Sequence, residues 1–349
     1  MGSNGLVRCI EPEMTHVNLP DPEQLAARIL RGERAAVASG LNLLDNKLAQ
    51  ARNRAVRLLA CLSGERWLNQ GHLVGVTGPP GAGKSSLVSA MIREWRLSGR
   101  TVGVLAVDPS SRPEAGGGAL LGDRIRIKTS SHDEGLFIRS LANRNQLGGV
   151  ATEVWPMSWL MMTCFDIVVI ETVGVGQTEL DIIRQADTTV VALVPESGDS
   201  VQAMKAGLME VADIFVVNKA DRDGAHALIA DIRFSVHLHE TSGAGPRDVD
   251  WEIPVLAAQA ANDVGIVELM DAIKRHRAAL TRAGALDKRR QARRRAELEA
   301  LLAEELAAQV MAKVHADPEL ARTLEAVTEG AIDAYSAVAR ILSVTLGRP

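Results

Sequence analysis

The sequence predicts an α/β fold with a mainly parallel sheet, flanked by an N-terminal helical segment and a C-terminal helical arm. Short apolar runs alternate with helical segments across residues 71–283, which is typical of parallel strands joined by crossover helices. Residues 1–70 show helical spacing without strand signals, and residues 284–349 continue as a charged helical tail. We therefore expect three units with these boundaries.

The composition narrows the class of protein. Of the 349 residues, 46% are apolar, which is ample for a core, and the net charge is −4. No basic excess indicates a nucleic-acid surface, no apolar run reaches the roughly 18 residues of a membrane span, and the N-terminus lacks the regions of a signal peptide. Cys9, Cys61 and Cys164 stand far apart, as in a reducing compartment. We expect a cytoplasmic protein that binds neither nucleic acid nor a membrane.

Local patterns give the order of elements. Asp21 or Pro22 can begin the first helix, and Gly32 can end it. Later helices are expected over Ser85–Arg96 and from Gly265 to about Ala283. The apolar positions of the N-terminal helices are Leu25, Ile29, Leu30, Leu41, Leu43, Leu44 and Leu48. Strands are expected at Leu73–Val76, Val102–Val107, Ile125–Lys128, Ile167–Ile170, Thr189–Val194, Ile214–Val217 and Pro254–Leu256.

The pattern G-x-x-x-x-G-K-[ST] occurs between the first strand and the helix after it, at Gly78–Ser85. Glycines at such a turn direct backbone N–H groups around a polyphosphate at a helix N-terminus. Lys84 is predicted to reach the β and γ phosphates, and the Ser85 hydroxyl to bind Mg²⁺. The predicted nucleotide contacts here are Gly78, Pro79, Gly81, Ala82, Gly83, Lys84, Ser85 and Ser86. A glycine-rich turn without a ligand is the alternative, but the strand-to-helix context favours a P-loop NTPase fold.

A second motif, N-K-x-D, directly follows the sixth predicted strand as Asn218, Lys219 and Asp221. Asp221 would accept hydrogen bonds from N1–H and N2–H₂ of guanine, whereas adenine would leave this carboxylate unpaired, which corresponds to discrimination on the order of 10⁴. The nucleotide is therefore expected to be GTP or GDP. Ala260 is the candidate backbone contact to the guanine oxygen, with Gln259 in place of the usual serine.

Glu171 begins E-T-V-G, which has the form of the D-x-x-G loop that senses the γ phosphate. The acid helps to hold Mg²⁺ or its water shell, and Gly174 lets a backbone N–H approach the γ phosphate. Efficient small GTPases carry a water-positioning glutamine next, but here Val175 takes that place and Gln177 lies two positions farther on. We therefore expect slow intrinsic hydrolysis, with a partner supplying residues or geometry.

Two further acids are candidates for the Mg²⁺ shell. Asp108 ends the second predicted strand, and Asp123 follows a stretch with three consecutive glycines. With Ser85 and Glu171 they form the predicted metal set. Each aspartate has an alternative interpretation, as a turn or cap residue.

Together these motifs resemble the MeaB/ArgK/MMAA family of P-loop GTPases, over about residues 20–345. The segments that carry the resemblance are Gly78–Ser85, Val107–Ser111, Leu121–Asp123, Glu171–Gln177 and Val217–Asp221. The resemblance implies a homodimeric chaperone that gates cofactor loading and protects an adenosylcobalamin-dependent acyl-CoA mutase, chiefly methylmalonyl-CoA mutase. The motifs themselves give the predicted catalytic set, which is Lys84, Glu171, Gly174 and Gln177.

The resemblance further implies a third switch at Pro195–Gly207. Its polar residues Asp199, Gln202 and Lys205 would relay the nucleotide state to the mutase, although the residues alone indicate a surface turn before a helix. Arg112–Ala115 and Asn143–Met162 depart from the family pattern. We expect these departures at switch surfaces, where a partner is recognised.

An apolar stripe runs along the C-terminal arm. It comprises Leu298, Leu301, Leu302, Leu306, Val310 and Val314. Burial against a second copy is expected to cover it, with folding back on the nucleotide domain as the alternative. On the first interpretation, a chain truncated after about Arg282 should be a monomer that still binds GDP.

The leading hypothesis is a GTP-hydrolysing switch that uses GTP, GDP and Mg²⁺ and serves a cobalamin-dependent mutase. One alternative is a metal-inserting GTPase for nickel or zinc, which would need a His-rich or Cys-rich motif near the switches. Another is a kinase linked to amino-acid transport, which would need a phosphoacceptor. Transfer of label from γ-labelled GTP, against release of free phosphate, separates the kinase from the switch.

Overall fold

A computed structural model describes residues 20–46, 48–63, 71–109, 133–143, 154–172, 180, 183–195, 207–241 and 249–347. The sheet has seven strands in the order β3-β2-β4-β1-β5-β6-β7, and every pairing between them is parallel. The strands are β1 His72–Thr77, β2 Val102–Pro109, β3 Leu136–Asn143, β4 Ile167–Thr172, β5 Thr188–Leu193, β6 Ile214–Val217 and β7 Val255–Ala257. The predicted α/β fold with a mainly parallel sheet is confirmed.

Ten helices of at least nine residues flank the sheet in the described part of the chain. They are α1 Pro22–Leu30, α2 Arg34–Asp45, α3 Ala49–Leu62, α4 Lys84–Leu97, α5 Val154–Met162, α6 Ala225–Thr241, α7 Ile266–Arg282, α8 Ala285–Ala316, α9 Pro318–Thr328 and α10 Ala334–Leu346. The apolar faces of α1, α2, α3 and α5 form one core with one side of the sheet. Those of α4 and α7 form a second core with the other side. None of the described helices is long and apolar enough to cross a bilayer.

Strand prediction missed β3. Leu136, Phe137 and Ile138 begin this strand, but Arg139 and Ser140 interrupt the apolar run, so no buried-strand pattern develops. Because β3 pairs with β2 at an end of the described sheet, polar side chains are tolerated there. The predicted strand at 125–128 lies outside the described residues.

The start and end of α1 agree with the prediction. The Asp21 carboxylate caps the helix by accepting a hydrogen bond from the N–H of Gln24, and Gly32 adopts a left-handed φ of 75°. Two of the predicted apolar positions are wrong as core residues, since Leu30 and Leu48 are exposed. Leu48 lies in the turn before α3, outside the helical face.

Helix α5 occupies part of the segment that departs from the family pattern. All nine of its residues except Pro156 are buried, and it packs between α2 and the sheet. The Trp159 indole donates a hydrogen bond to Glu297 of α8 at 2.9 Å. This part of the departure therefore belongs to the core, and the expectation of a partner-facing surface there is wrong because its side chains are covered. Residues 144–153 lie outside the described residues.

The amino-terminal edge of the sheet holds a buried ion-pair cluster that docks α8. Arg290 is 1% exposed, and its guanidinium lies 2.6 Å from the Asp187 carboxylate and donates to the Gly71 carbonyl at 2.7 Å. Arg293 pairs with the Asp187 carboxylate at 2.5 Å. The same carboxylate also accepts a hydrogen bond from the N–H of Leu73. Burial alone would raise the pKa of Asp187, but the charges of Arg293 and Arg290 hold it well below its usual value.

The remainder of α8 extends away from this anchor. Glu305 forms a 2.7 Å ion pair with Arg52 of α3. The outer face is exposed, including Leu298 at 65%, Leu302 at 55% and Leu306 at 47%. Val314 departs from the expected stripe, because it is buried against α9 and α10. The contacts of α8 with the sheet are thus made by residues after position 284, where the sequence predicts the boundary between the nucleotide domain and the arm. That boundary remains a prediction.

Candidate nucleotide site

The loop between β1 and α4 adopts the tight conformation that its glycines allow. Gly78, Gly81 and Gly83 have φ values of 145°, 80° and 77°. A Cβ at Gly78 would lie 2.0 Å from the carbonyl oxygen of Ala192 on β5, so no side chain fits there. Sequence and packing together thus fix a P-loop conformation at the carboxyl end of the central strands.

Lys84 lies inside this loop and is 6% exposed. Its ammonium donates to the carbonyl oxygens of Gly78 at 2.7 Å and Pro79 at 3.0 Å. Burial lowers the pKa of Lys84 to about 8, against the opposing charge of Glu171. The side chain is therefore placed where polyphosphate oxygens would approach the loop.

The side chains of Ser85, in the first turn of α4, and Glu171, in β4, converge at the carboxyl edge of the sheet. Glu171 stands in β4 opposite Val76 of β1, and its carboxylate accepts a 2.5 Å hydrogen bond from the Ser85 hydroxyl. Oxygen donors of this kind suit Mg²⁺, which usually takes one or two protein ligands and completes its shell with phosphates and waters. No group of three His, Cys, Asp or Glu side chains in the described residues is arranged to hold an ion alone. The Ser85 hydroxyl and the Glu171 carboxylate are donors that fit a metal shared with a bound nucleotide.

The other predicted metal and catalytic residues are only partly placed. Asp108 lies at the end of β2, beside β4 and on the same edge of the sheet as Glu171. The structure describes the backbone of Asp108 but not its side chain. Asp123, Gly174 and Gln177 lie outside the described residues. Their roles remain predictions.

Asn218 joins the P-loop to the predicted base-binding loops. Its side-chain amide donates to the Ala82 carbonyl at 2.9 Å, and its amide oxygen accepts from the N–H of Ala260 at 3.1 Å. Lys219 next to it has a left-handed φ of 54°, which turns the chain sharply after β6. Asp221 is exposed in that turn. The predicted guanine residues and the phosphate loop are thus brought together by one buried side chain.

Gln259 contributes to the shape of the second base-binding loop. Its backbone pairs with Val264, and its side-chain oxygen accepts from the Asn262 amide at 3.1 Å. These bonds close the short turn in which the Ala260 N–H donates to Asn218, so the contact of this N–H with the guanine oxygen remains a prediction. The residue that replaces the usual serine therefore stabilises the loop through its own hydrogen bonds.

Two buried threonines near the site were missed by sequence reasoning. The Thr172 hydroxyl donates to the Thr77 hydroxyl at 3.0 Å. The available signal was that two otherwise largely apolar strands each end in threonine just before a glycine-containing loop. The predicted relay residues Asp199, Gln202 and Lys205 lie outside the described residues.

The pKa of Lys84 predicts proton uptake on nucleotide binding. At pH 8 about half of the Lys84 side chains are neutral without nucleotide, and phosphate oxygens favour the protonated form. GDP binding should take up about half a proton at pH 8 and almost none at pH 6, and affinity should decrease as the pH rises above 8. Calorimetry in buffers of different ionisation enthalpy measures this uptake.

Lys84→Arg is the matched control, because a guanidinium keeps its proton throughout this range. Its proton uptake at pH 8 should be close to zero. Equal uptake by the wild-type protein and Lys84→Arg would contradict the assignment of the titrating group.

Comparison with known proteins agrees with this geometry. Residues 37–315 match the family described as methylmalonyl-CoA mutase-associated GTPase MeaB. A Pyrococcus abyssi protein with a GTPase designation is 41% identical over 326 residues, which cover 93% of this chain and 97% of that protein. The GTPase ArgK of Escherichia coli is 35% identical over 76% of this chain and 78% of its own length.

More distant relatives extend the comparison. The mouse mitochondrial methylmalonic aciduria type A homolog is 32% identical over 77% of this chain and 66% of its own length. The crystal structure of an LAO/AO transport system kinase is similar with a TM-score of 0.64 and 26% identity, covering 93% of this chain and 97% of that one. The match over most of the chain, the P-loop and the base-binding loop agree with one another. This chain therefore belongs to the MeaB family of P-loop GTPases.

Proposed function

We propose that this protein is a GTP-dependent chaperone that gates cofactor loading into, and protects, an adenosylcobalamin-dependent acyl-CoA mutase, with methylmalonyl-CoA mutase as the partner. The observation that carries the proposal is the match of residues 37–315 to a family described by its association with that mutase. The name of the mouse relative, which refers to methylmalonic aciduria, supports the same metabolic context. The nucleotide site supplies the switch that such a role requires.

Each part of the site has a role in this proposal. Lys84 binds the β and γ phosphates, Asp221 selects guanine, and Asn218 keeps the two regions in a fixed relation. Ser85 and Glu171, with Asp108 and Asp123, would hold Mg²⁺. When bound, the cation neutralises charge that develops on the phosphates.

Hydrolysis is slow in this proposal until the partner binds. Val175 stands where efficient GTPases carry their water-positioning glutamine, and Gln177 lies farther along the loop. The mutase would complete the site or reposition the loop. By linkage, GTP and GDP must then differ in their effect on the affinity for the mutase.

The segment 195–207 is the proposed relay. β5 runs through the centre of the sheet beside β1 and ends at Leu193, two residues before Pro195. A change at the phosphate site is therefore one strand away from the start of this segment. Asp199, Gln202 and Lys205 would communicate it to the mutase.

Steady-state GTPase assays with and without the mutase test the proposal. The mutase should raise turnover, and Gln202→Ala or Lys205→Ala should reduce this stimulation while nucleotide affinity stays nearly unchanged. Lys274→Ala is a matched control, since Lys274 is an exposed lysine on α7. Undiminished stimulation in both relay variants would contradict the relay role of residues 195–207. If the mutase did not stimulate the wild-type protein, the chaperone proposal would be wrong.

A kinase function is the second candidate, and one observation favours it. The similar crystal structure is described as an LAO/AO transport system kinase, so a kinase linked to amino-acid transport is considered. It requires transfer of the γ phosphate to an acceptor. Label from γ-labelled GTP recovered on protein or on a small molecule would favour the kinase, and label recovered as free phosphate favours the switch.

The exposed face of α8 predicts a homodimer. Leu302→Glu with Leu306→Glu places charges on side chains that are exposed in the protomer, so the fold should remain intact while self-association is lost. Light scattering at micromolar concentration should give a dimer for the wild-type protein and a monomer for this variant. Val267→Glu, at a valine of α7 that is also exposed, should remain dimeric.

The truncation after Arg282 is not a suitable test of the dimer. It would remove Arg290 and Arg293 and leave the buried Asp187 carboxylate without these partners. Loss of folding would then be indistinguishable from loss of association. A wild-type protein that is monomeric at micromolar concentration would contradict the dimer.

A further inference from the structure

A pair of buried hydroxyl groups links β4, which carries Glu171, to β1, which leads into the P-loop before Ser85. β1 and β4 are adjacent and parallel, and each ends in a threonine, Thr77 and Thr172. Both residues are fully buried, and the Thr172 hydroxyl donates to the Thr77 hydroxyl at 3.0 Å. The bond joins the last residue before the P-loop to the last residue before the E-T-V-G loop leaves the sheet.

The last two side chains of β4, those of Glu171 and Thr172, make different contacts. Successive side chains of a strand point to opposite faces, so Glu171 and Thr172 project to opposite sides of the sheet. Glu171 faces α4, where it meets Ser85. Thr172 holds the backbone from the other side, directly after the carboxylate-bearing residue. The hydroxyl pair therefore acts on Glu171 through the main chain.

Core packing alone does not explain the threonines. Valine has nearly the same shape and a high preference for strands, and the other positions of β4 on the same face as Thr172 are Ile170 and Val168. A buried hydroxyl is costly unless it is hydrogen-bonded, whereas a pair of apolar groups of the same shape is close to neutral. What the hydroxyl pair adds is a directional bond that sets the distance between two strand ends.

We infer that Thr172 and Thr77 are positioning residues that hold the Glu171 carboxylate against Ser85 for the divalent cation. This inference rests on the proposed role of Glu171 in Mg²⁺ binding. Without the bond, the ends of β1 and β4 gain freedom, and the carboxylate and hydroxyl oxygens no longer converge as closely. The nucleotide contacts proposed for Lys84 and the P-loop do not depend on this bond, since Lys84 is held by the Gly78 and Pro79 carbonyls.

Calorimetric titration of GDP with and without Mg²⁺ tests the inference. In Thr172→Val, GDP affinity without Mg²⁺ should change by less than about twofold, while the increase in affinity that Mg²⁺ causes should shrink by about fivefold, as expected for one lost hydrogen bond. Thr77→Val should have the same effect. The loss in the double variant should be smaller than the sum of the two single losses, because the two residues share one bond. Thr172→Ser keeps the hydroxyl and should restore the Mg²⁺ effect.

Glu171→Gln separates this inference from the proposal on which it rests. If the Mg²⁺ effect survives in Glu171→Gln, the metal role of Glu171 is wrong. If it is lost there but unchanged in both Thr172→Val and Thr77→Val, the positioning role is overturned. A loss of GDP affinity that is equal with and without Mg²⁺ would also overturn it, since a general loss of structure explains that result.

Discussion

Replacement of Asp187 by alanine should lower the free energy of unfolding by about 3–5 kcal/mol, because it leaves buried guanidinium groups without their carboxylate. Arg290 is 1% exposed, and both it and Arg293 contact Asp187 directly. A loss of this size is a large share of the roughly 5–15 kcal/mol that stabilises a typical domain. Denaturant titration followed by circular dichroism measures it.

An exposed ion pair provides the control. Glu319 pairs with Arg340 at 2.6 Å, but its side chain is 73% exposed, so Glu319→Ala should cost at most about 1 kcal/mol. The pH dependence gives an independent check. Since the pKa of Asp187 is depressed on folding, its contribution is complete above about pH 4 and is lost as the pH falls further. Equal stability of Asp187→Ala and the wild-type protein would mean that α8 is not anchored through this cluster.

Asp221→Asn should abolish most of the preference for guanine. The carboxylate that accepts from N1–H and N2–H₂ is lost, so a discrimination on the order of 10⁴ between GDP and ADP should fall by at least about a hundredfold. Xanthosine diphosphate, which presents an oxygen where guanine has its amino group, should bind the variant better than it binds the wild-type protein. Calorimetry with GDP, ADP and xanthosine diphosphate measures all three affinities.

Asp223→Asn is the matched control for this substitution. Asp223 is an exposed aspartate two residues farther along the same turn, so its replacement should leave guanine selectivity unchanged. Unchanged selectivity in Asp221→Asn itself would contradict the assignment of the N-K-x-D loop as the base-binding loop.

Much of the site could be predicted because the residues of each loop lie within a few positions of one another in the sequence. The P-loop needs glycines, a lysine and a serine within eight positions, and the base loop needs four residues after a strand. Each motif fixes its own local conformation, and parallel strands bring their carboxyl ends together at one edge. For this reason the order of strands and loops placed Lys84, Glu171 and Asn218 near one another before any contact was known.

The anchoring of α8 could not be predicted in the same way. Asp187 and Arg290 are 103 positions apart, and neither belongs to a motif. A basic run on a helix with acids after it is typical of a solvated face, and only the tertiary contact distinguishes Arg290 and Arg293 from exposed arginines. β3 was missed for the related reason that its pairing with β2, rather than its own sequence, stabilises it.

The separation between Asp187 and Arg290 also imposes an order on biosynthesis. Ribosomes add about 5–20 residues per second, so roughly 5–20 s pass between the synthesis of the aspartate and that of the arginine 103 positions later. During this interval β6, β7 and both base-binding loops are synthesised, while the guanidinium groups that compensate Asp187 are still absent. The nucleotide domain therefore reaches its final stability only when the first turns of α8 have left the ribosomal tunnel. Release of a chain that ends before Arg290 would yield a product exposed to proteolysis and aggregation.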